Sequence, residues 1–187
     1  MLEKLSTICI QISTGPTTLL ASILFISFVI FILPDQAKKM EAALGSSQSP
    51  DLSVWYSPSE LYGMAEEYGE AGRAEYIRIR YTFDLLWPLV YSTFLLSALN
   101  WIFVRRLSIQ RNPKFLTLLP LAAIFLDYLE NTTTSIVMFR YPLKTQIIDQ
   151  AAPLLTFLKW VSVSGSFLVL CLGLILLAWR ILGTQKS

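Results

Sequence analysis

Acidic and amide side chains lie in the middle of one long apolar run of this sequence. Asp127, Glu130 and Asn131 stand at positions i, i+3 and i+4, so a helix would present all three on one face. An ionised side chain at the depth of a bilayer costs at least ~2.5–3.5 kcal/mol. Each of the two carboxyl groups therefore indicates a buried partner, a water-filled cavity or a function.

Two other apolar runs carry polar side chains that could complete the same site. Asp84 and Tyr91 share one helical face of the second run, and Lys159 lies on a stripe of hydroxyl residues in the fourth. At a rise of about 1.5 Å per residue, Tyr91 and Glu130 are expected at the same depth. We expect these faces to converge in the outer half of a helical bundle. The candidate ligand-binding residues are Asp84, Tyr91, Asp127, Glu130, Asn131 and Lys159.

Three interpretations of this cluster are open. The acids and Lys159 form a buried ion pair that fixes helix register, or they line a pocket for a ligand or substrate, or they contact a second copy of the chain or another subunit of a membrane complex. An enzyme would use Asp127 with Glu130 or Asp84 as acid and base, but the sequence identifies no catalytic residue. Proton or cation movement is disfavoured because the cytoplasmic halves of the runs are almost uniformly apolar. We favour a pocket that binds a small amphiphile or a membrane lipid.

Composition narrows the chemistry further. The chain has 187 residues, of which 54% are hydrophobic and 15% charged, against roughly a quarter charged in soluble domains. It contains no histidine and two cysteines, Cys9 and Cys171, which excludes His-based haem, zinc and nucleophile sites as well as a disulfide framework. We therefore predict no metal site and no cofactor. A net charge of +2 without a basic run gives no sign of a nucleic-acid partner.

The elements that position these residues are apolar runs long enough to cross a membrane. A hydrocarbon core of ~30 Å needs about 20 helical residues, and four runs approach or exceed that length. They cover residues 17–33, 81–104, 115–139 and 153–179. Most of the nearby Trp and Tyr side chains lie toward the ends of these runs, as interfacial aromatic residues do. The predicted fold class is all-α, with one integral membrane four-helix bundle formed by residues 1–187.

Residues 35–80 form a polar, acidic connection between the first and second runs. The stretch GSSQSP within it is typical of a flexible link. Ser57 and Glu60 then have the residue types of a helix N-cap and its capping box. Apolar side chains recur with a helical period after them, and Gly69 and Gly72 are expected to end this amphipathic helix. The connection should therefore contain short helices and lie outside the cytoplasm.

The positions of lysine and arginine predict the orientation. The short link after the second run carries four basic residues and no acid, whereas the outer segments mix both signs. The four are Arg105, Arg106, Arg111 and Lys114. This link is expected in the cytoplasm, so an even number of spans puts both termini there too. Lys4, Arg180 and Lys186 near the chain ends agree with this orientation.

The order of elements is similar to that of the EXPERA-type four-helix membrane proteins related to emopamil-binding protein. A first span and a structured loop precede a second span with an acid a few residues before a proline, here Asp84 and Pro88. The resemblance is one of architecture and implies a four-helix membrane fold. The sterol isomerases of that group would imply a histidine, which this chain lacks.

Overall fold

The regular structure of the chain is helical. A computed structural model describes residues 2–46, 48–108 and 114–184, is 87% helical and contains no strand within those ranges. The all-α prediction is confirmed. The α-helices of the described residues are α1 (Leu2–Ile12), α2 (Gly15–Ser27), α3 (Leu33–Leu44), α4 (Pro58–Glu67), α5 (Gly69–Arg80), α6 (Phe83–Asn100), α7 (Lys114–Arg140) and α8 (Ile148–Thr184).

Three helical stretches in the described residues are long and apolar enough to cross a membrane. They are Gly15–Leu44, Gly69–Arg106 and Ile148–Gly183, and their most apolar windows have mean hydropathies of 2.4, 1.4 and 2.4. The chain therefore has the helices of a membrane protein. The 27-residue α7, which corresponds to the predicted third span, is not among the three.

The first of these stretches continues past the proline that ends its apolar run. Residues Phe28–Ile32 form a π-helical turn, in which the Leu33 N–H donates to the Phe28 carbonyl. This wider turn comes just before Pro34, where the proline ring would otherwise crowd the preceding carbonyls of an α-helix. The helix then runs to Leu44, beyond the point where composition alone suggested a connection.

The helix that follows Ser57 begins as predicted. The Glu60 N–H donates to the Ser57 hydroxyl at 3.3 Å, and the Ser57 N–H donates to the Glu60 carboxylate at 2.6 Å. This reciprocal capping box satisfies two N–H groups at the start of α4, and the bonds from Ser57 lower the pKa of Glu60. Gly69 ends the segment with a φ of 63°, a left-handed conformation that favours glycine, whereas Gly72 does not break a helix and lies buried within α5. Ser47, within the expected flexible link, lies outside the described residues.

The chain divides into two compact units, each with its own packing. The first comprises Met1–Ile26, Val90–Ala122 and Ser162–Ser187, and the second Ser27–Leu89 and Ala123–Val161. In the first, three phenylalanines pack together: Phe25, Phe94 and Phe167. In the second, the buried hydrophobic core consists of Leu44, Tyr56, Leu61, Met64, Ala65, Tyr68, Tyr76, Val137, Met138 and Ala152.

The sequences of the two units have net charges of opposite sign. The first contains seven of the 15 lysines and arginines but one of the 13 acids, a net charge of +6. The second contains the other eight basic and twelve acidic residues, a net charge of −4, so the two add to the +2 of the chain. Two of the basic residues counted here, Arg111 and Lys186, lie outside the described residues.

Glycine permits a close approach at one position in the first unit. A Cβ added to Gly173 of α8 would lie 2.5 Å from Cε2 of Phe103 and 3.0 Å from Cγ2 of Ile102. A Cβ added to Gly165, on the same helix, would meet no atom within 4 Å. Of these two glycines, only Gly173 lies at a close contact between side chains and the helix backbone.

We predict that Gly173→Ala destabilises the protein by about 1–3 kcal/mol, because the added methyl group overpacks the contact with Phe103 and Ile102. Thermal unfolding of the detergent-solubilised protein should show a lower midpoint. Gly165→Ala is the matched control, and it should leave the midpoint unchanged or raise it because alanine favours the helix. An equal decrease of the thermal midpoint in both variants would contradict the close contact at Gly173.

Candidate functional site

A buried ion pair joins α7 to α8 in the second unit. Nζ of Lys159 lies 2.5 Å from Oε2 of Glu130. Glu130 is 0% and Lys159 5% exposed. The sequence predicted that these two side chains would face one another, and the structure brings them together. Because each is enclosed, neither charge has bulk water to stabilise it, and each depends on the other.

A second cation, Arg80, lies in the same network. Arg80 is 3% exposed at the end of α5, and its Nη1 lies 2.8 Å from Oδ2 of Asp84. Its Nη2 pairs with Asp51, whose other carboxylate oxygen is 3.9 Å from Nζ of Lys159. The guanidinium also lies over the Tyr76 ring, 4.4 Å from the ring centroid. Asp51 therefore connects the two buried cations.

Asp127 and Asn131 complete the polar face of α7. The Asn131 side-chain amide donates to Oδ1 of Asp127 at 3.1 Å, and both residues are buried. Asp127 is close enough to Asp84 and Lys159 for their charges to interact. Oδ1 of Asn131 is buried without a hydrogen-bond partner in the described part of the chain. Tyr91, the remaining candidate, is a buried residue of the first unit, and its predicted place in the cluster stays a prediction.

Two hydroxyl groups extend the network toward the protein surface. The Thr156 hydroxyl donates to Oε1 of Glu130 at 2.8 Å, and the Tyr56 hydroxyl lies 3.0 Å from the Thr156 hydroxyl. A threonine hydroxyl has one hydrogen, so Tyr56 donates to Thr156 when Thr156 donates to Glu130. Burial raises the pKa of Tyr56 above its ordinary value, which keeps the phenol protonated and able to donate.

An open cleft lies beside these hydroxyl groups, between α4 and the segment that precedes it. Its volume is about 360 Å³. The walls combine polar and apolar side chains, among them Gln48, Ser49, Leu52, Trp55, Tyr56 and Met64. Two residues connect the cleft to the charges: Tyr56 through Thr156, and Ser49, whose hydroxyl donates to Asp51 at 3.1 Å. The cleft therefore borders the ion-pair network.

The network contains more acids than bases. Its four carboxyl groups, from Asp51, Asp84, Asp127 and Glu130, accompany two cations, so full ionisation would leave a net charge of −2. Such an excess favours a cationic or hydrogen-bond-donating guest. The described residues contain no group of three or more His, Cys, Asp or Glu side chains arranged to hold a metal ion.

Sequence reasoning missed Asp51, Tyr56 and Thr156 as members of the site. Thr156 was on the predicted stripe of Lys159 and could have been included, because a hydroxyl beside a buried carboxyl group is a natural donor. Asp51 belongs to a 3₁₀ turn, Pro50–Leu52, where no periodicity predicts which way a side chain points.

The site is known from its own geometry alone. No family model, curated protein or solved structure that we compared with this chain matches it. The function is therefore inferred from the contacts described above.

We predict that Lys159→Met lowers the free energy of unfolding by about 3–5 kcal/mol, because it leaves the Glu130 carboxylate enclosed without its cation. The double variant with Glu130→Gln should recover most of that loss, since both charges are then removed. Denaturant unfolding of the protein in detergent measures each value, and the double-variant cycle gives the coupling.

Lys39→Met is the control for this cycle. Lys39 pairs with Asp35 at 2.7 Å, but both side chains are more than half exposed. Its replacement should change stability by less than about 1 kcal/mol. If Lys159→Met lowers the free energy of unfolding no more than Lys39→Met does, buried Glu130 does not depend on Lys159 for its stability.

Proposed function

We propose that this protein is a four-span membrane protein that binds a small amphiphile or a membrane lipid through the acid-rich network. One observation carries the proposal: four buried or half-buried carboxyl groups accompany two cations beside an open cleft with a mixed wall. A ligand with a cationic or hydrogen-bond-donating head group would offset the excess negative charge, and its apolar part would contact Leu52, Trp55 and Met64.

The topology in this proposal has four spans and both termini in the cytoplasm. α7 has 27 residues, so its length of ~40 Å exceeds the ~30 Å hydrocarbon core. The short link after the second span carries four basic residues and no acid, and Lys4, Arg180 and Lys186 lie near the chain ends, in agreement with an excess of lysine and arginine on the cytoplasmic side. Residues 35–80 would then lie outside, with the cleft open to that side.

Two buried groups are candidates for specific contacts with a head group. Oδ1 of Asn131 is an acceptor and Nε of Arg80 a donor, and both lack a hydrogen-bond partner in the described residues. An unpaired buried polar atom costs roughly 1–3 kcal/mol, so a ligand that pairs with either one recovers that cost. Asp51, which comes from outside the α-helices, could exchange a bond to Arg80 for one to the ligand.

An intramembrane enzyme that uses two carboxylates is the less favoured alternative. A general acid or base has to reach the reacting atom of a substrate. Both oxygens of Glu130 are occupied, one by Lys159 and the other by Thr156. This arrangement suits a group that stabilises a bound charge better than one that transfers protons. A structural subunit of a membrane complex is the other alternative, and it predicts no bound amphiphile.

Native mass spectrometry of the detergent-purified protein tests the proposal. The wild type should retain a lipid or amphiphile from its native membrane. Asp51→Asn and Asp127→Asn should each lower the bound fraction, by roughly tenfold in affinity, because each removes a charge-assisted contact worth about 1.5 kcal/mol or more.

Asp149→Asn is the matched control for these variants. Asp149 is also buried in the second unit, but its carboxylate accepts from Tyr62 at 3.0 Å instead of joining the network. It should leave ligand capture unchanged. If Asp51→Asn and Asp127→Asn fold normally and retain as much ligand as the wild type, the network does not bind it.

A further inference from the structure

Three arginines line one open cleft in the first unit. Arg105 and Arg106 end the helical stretch Gly69–Arg106, and Arg180 lies near the end of α8. The cleft has a volume of about 250 Å³, and Leu177 and Ile181 complete its lining. Two elements that are long and apolar enough to cross a membrane therefore bring three positive charges together at their ends.

Contacts with the backbone hold these arginines in position. Nη2 of Arg105 donates to the carbonyls of Ile10 at 3.1 Å and Gln11 at 3.0 Å, which are carbonyls in the last turn of α1 and have no partner within that helix. Nη1 of Arg180 donates to the Arg106 carbonyl at 2.6 Å. The Arg106 guanidinium lies 5.4 Å from the centroid of the Trp101 ring. The charged groups are therefore largely pre-organised before any ligand arrives.

The surrounding sequence supplies almost no negative charge. Residues 90–122 and 162–187, which contribute all five lining residues, contain no aspartate or glutamate. Glu3 is the single acid in the sequence of the whole unit. Three guanidinium groups with no carboxylate from their own segments favour an anion.

We propose that this cleft binds the phosphate group of an anionic membrane lipid. A guanidinium matches phosphate oxygens with two parallel N–H bonds. The volume is below the ~300 Å³ typical of pockets that enclose a whole drug-sized ligand, so it fits a head group whose acyl chains lie outside. Leu177 and Ile181, which is 46% exposed, lie four residues apart on one face of α8 and provide an apolar surface for those chains. The ends of membrane-crossing helices are also where lipid phosphates lie.

The test is a native mass spectrometry titration of the full-length protein in detergent with phosphatidic acid, phosphatidylglycerol and phosphatidylcholine. We expect the two anionic lipids to bind more tightly than phosphatidylcholine. Arg180→Gln should weaken their binding about fivefold, the effect of one basic residue near a membrane surface. Arg180→Lys keeps the charge and should recover part of the affinity. Inorganic phosphate and glycerol 3-phosphate, added at the same concentrations, should displace little lipid.

Arg78→Gln is the matched control, because Arg78 is an exposed arginine of the second unit that pairs with Glu75. It should leave binding of the anionic lipids unchanged. The thermal midpoint of each variant establishes that the protein is folded. Equal affinity for phosphatidylcholine, or equal losses in Arg180→Gln and Arg78→Gln, would overturn the proposal. Complete displacement by inorganic phosphate would replace the lipid with a soluble phosphate as the ligand.

Discussion

The structure of the second unit depends on the cost of burying charge. Removing an ion from water costs several kcal/mol, and a partner charge repays that cost only at short range and with good geometry. Glu130 and Lys159 meet this requirement directly, and Arg80 meets it with Asp84 and Asp51. Because the partners lie on α5, α6, α7, α8 and the turn at Pro50–Leu52, satisfying the charges also determines how these elements pack within the unit.

The same requirement explains why the segment before α4 is ordered. Asp51 lies on a short 3₁₀ turn and pairs with Arg80, and its second carboxylate oxygen is 3.9 Å from Nζ of Lys159, so contacts with two buried cations hold this turn in place. The hydroxyl of Tyr68 donates to the Gln48 carbonyl at 2.6 Å and fixes the start of this segment. Burial raises the pKa of Tyr68 to about 12, so the phenol stays a donor near neutral pH. The polar segment before α4, whose sequence is typical of a loop, therefore forms part of the wall of the cleft.

Helical periodicity predicted the part of the site that lies on helices. The spacing of Asp127, Glu130 and Asn131 places all three side chains on one face of a helix. Lys159, on another apolar run, has the opposite charge and was therefore the expected partner. A single 3₁₀ turn has no repeating pattern that shows which way its side chains point, so the sequence could not assign Asp51 to the site. Composition likewise marks where an apolar run ends but not where a helix ends, and the helix through Pro34 continues because a π-helical turn precedes it. Residue size alone does not distinguish Gly165 from Gly173, yet only the neighbours of Gly173 approach closely.

For the proposed ligand to pair with the network, one of the acids has to change partner. Asp84, Asp127 and Glu130 lie on α-helices, and a shift of any one carboxylate by more than a rotamer requires a helix to move. Asp51 lies outside the α-helices, is the most exposed of the four carboxyl groups, and shares its charge between Arg80 and Lys159. A small movement of the turn that carries it would release both cations from their contacts with Asp51. Exchange at Asp51 therefore requires the least rearrangement, which makes the turn at Pro50–Leu52 the point where the proposed binding would begin.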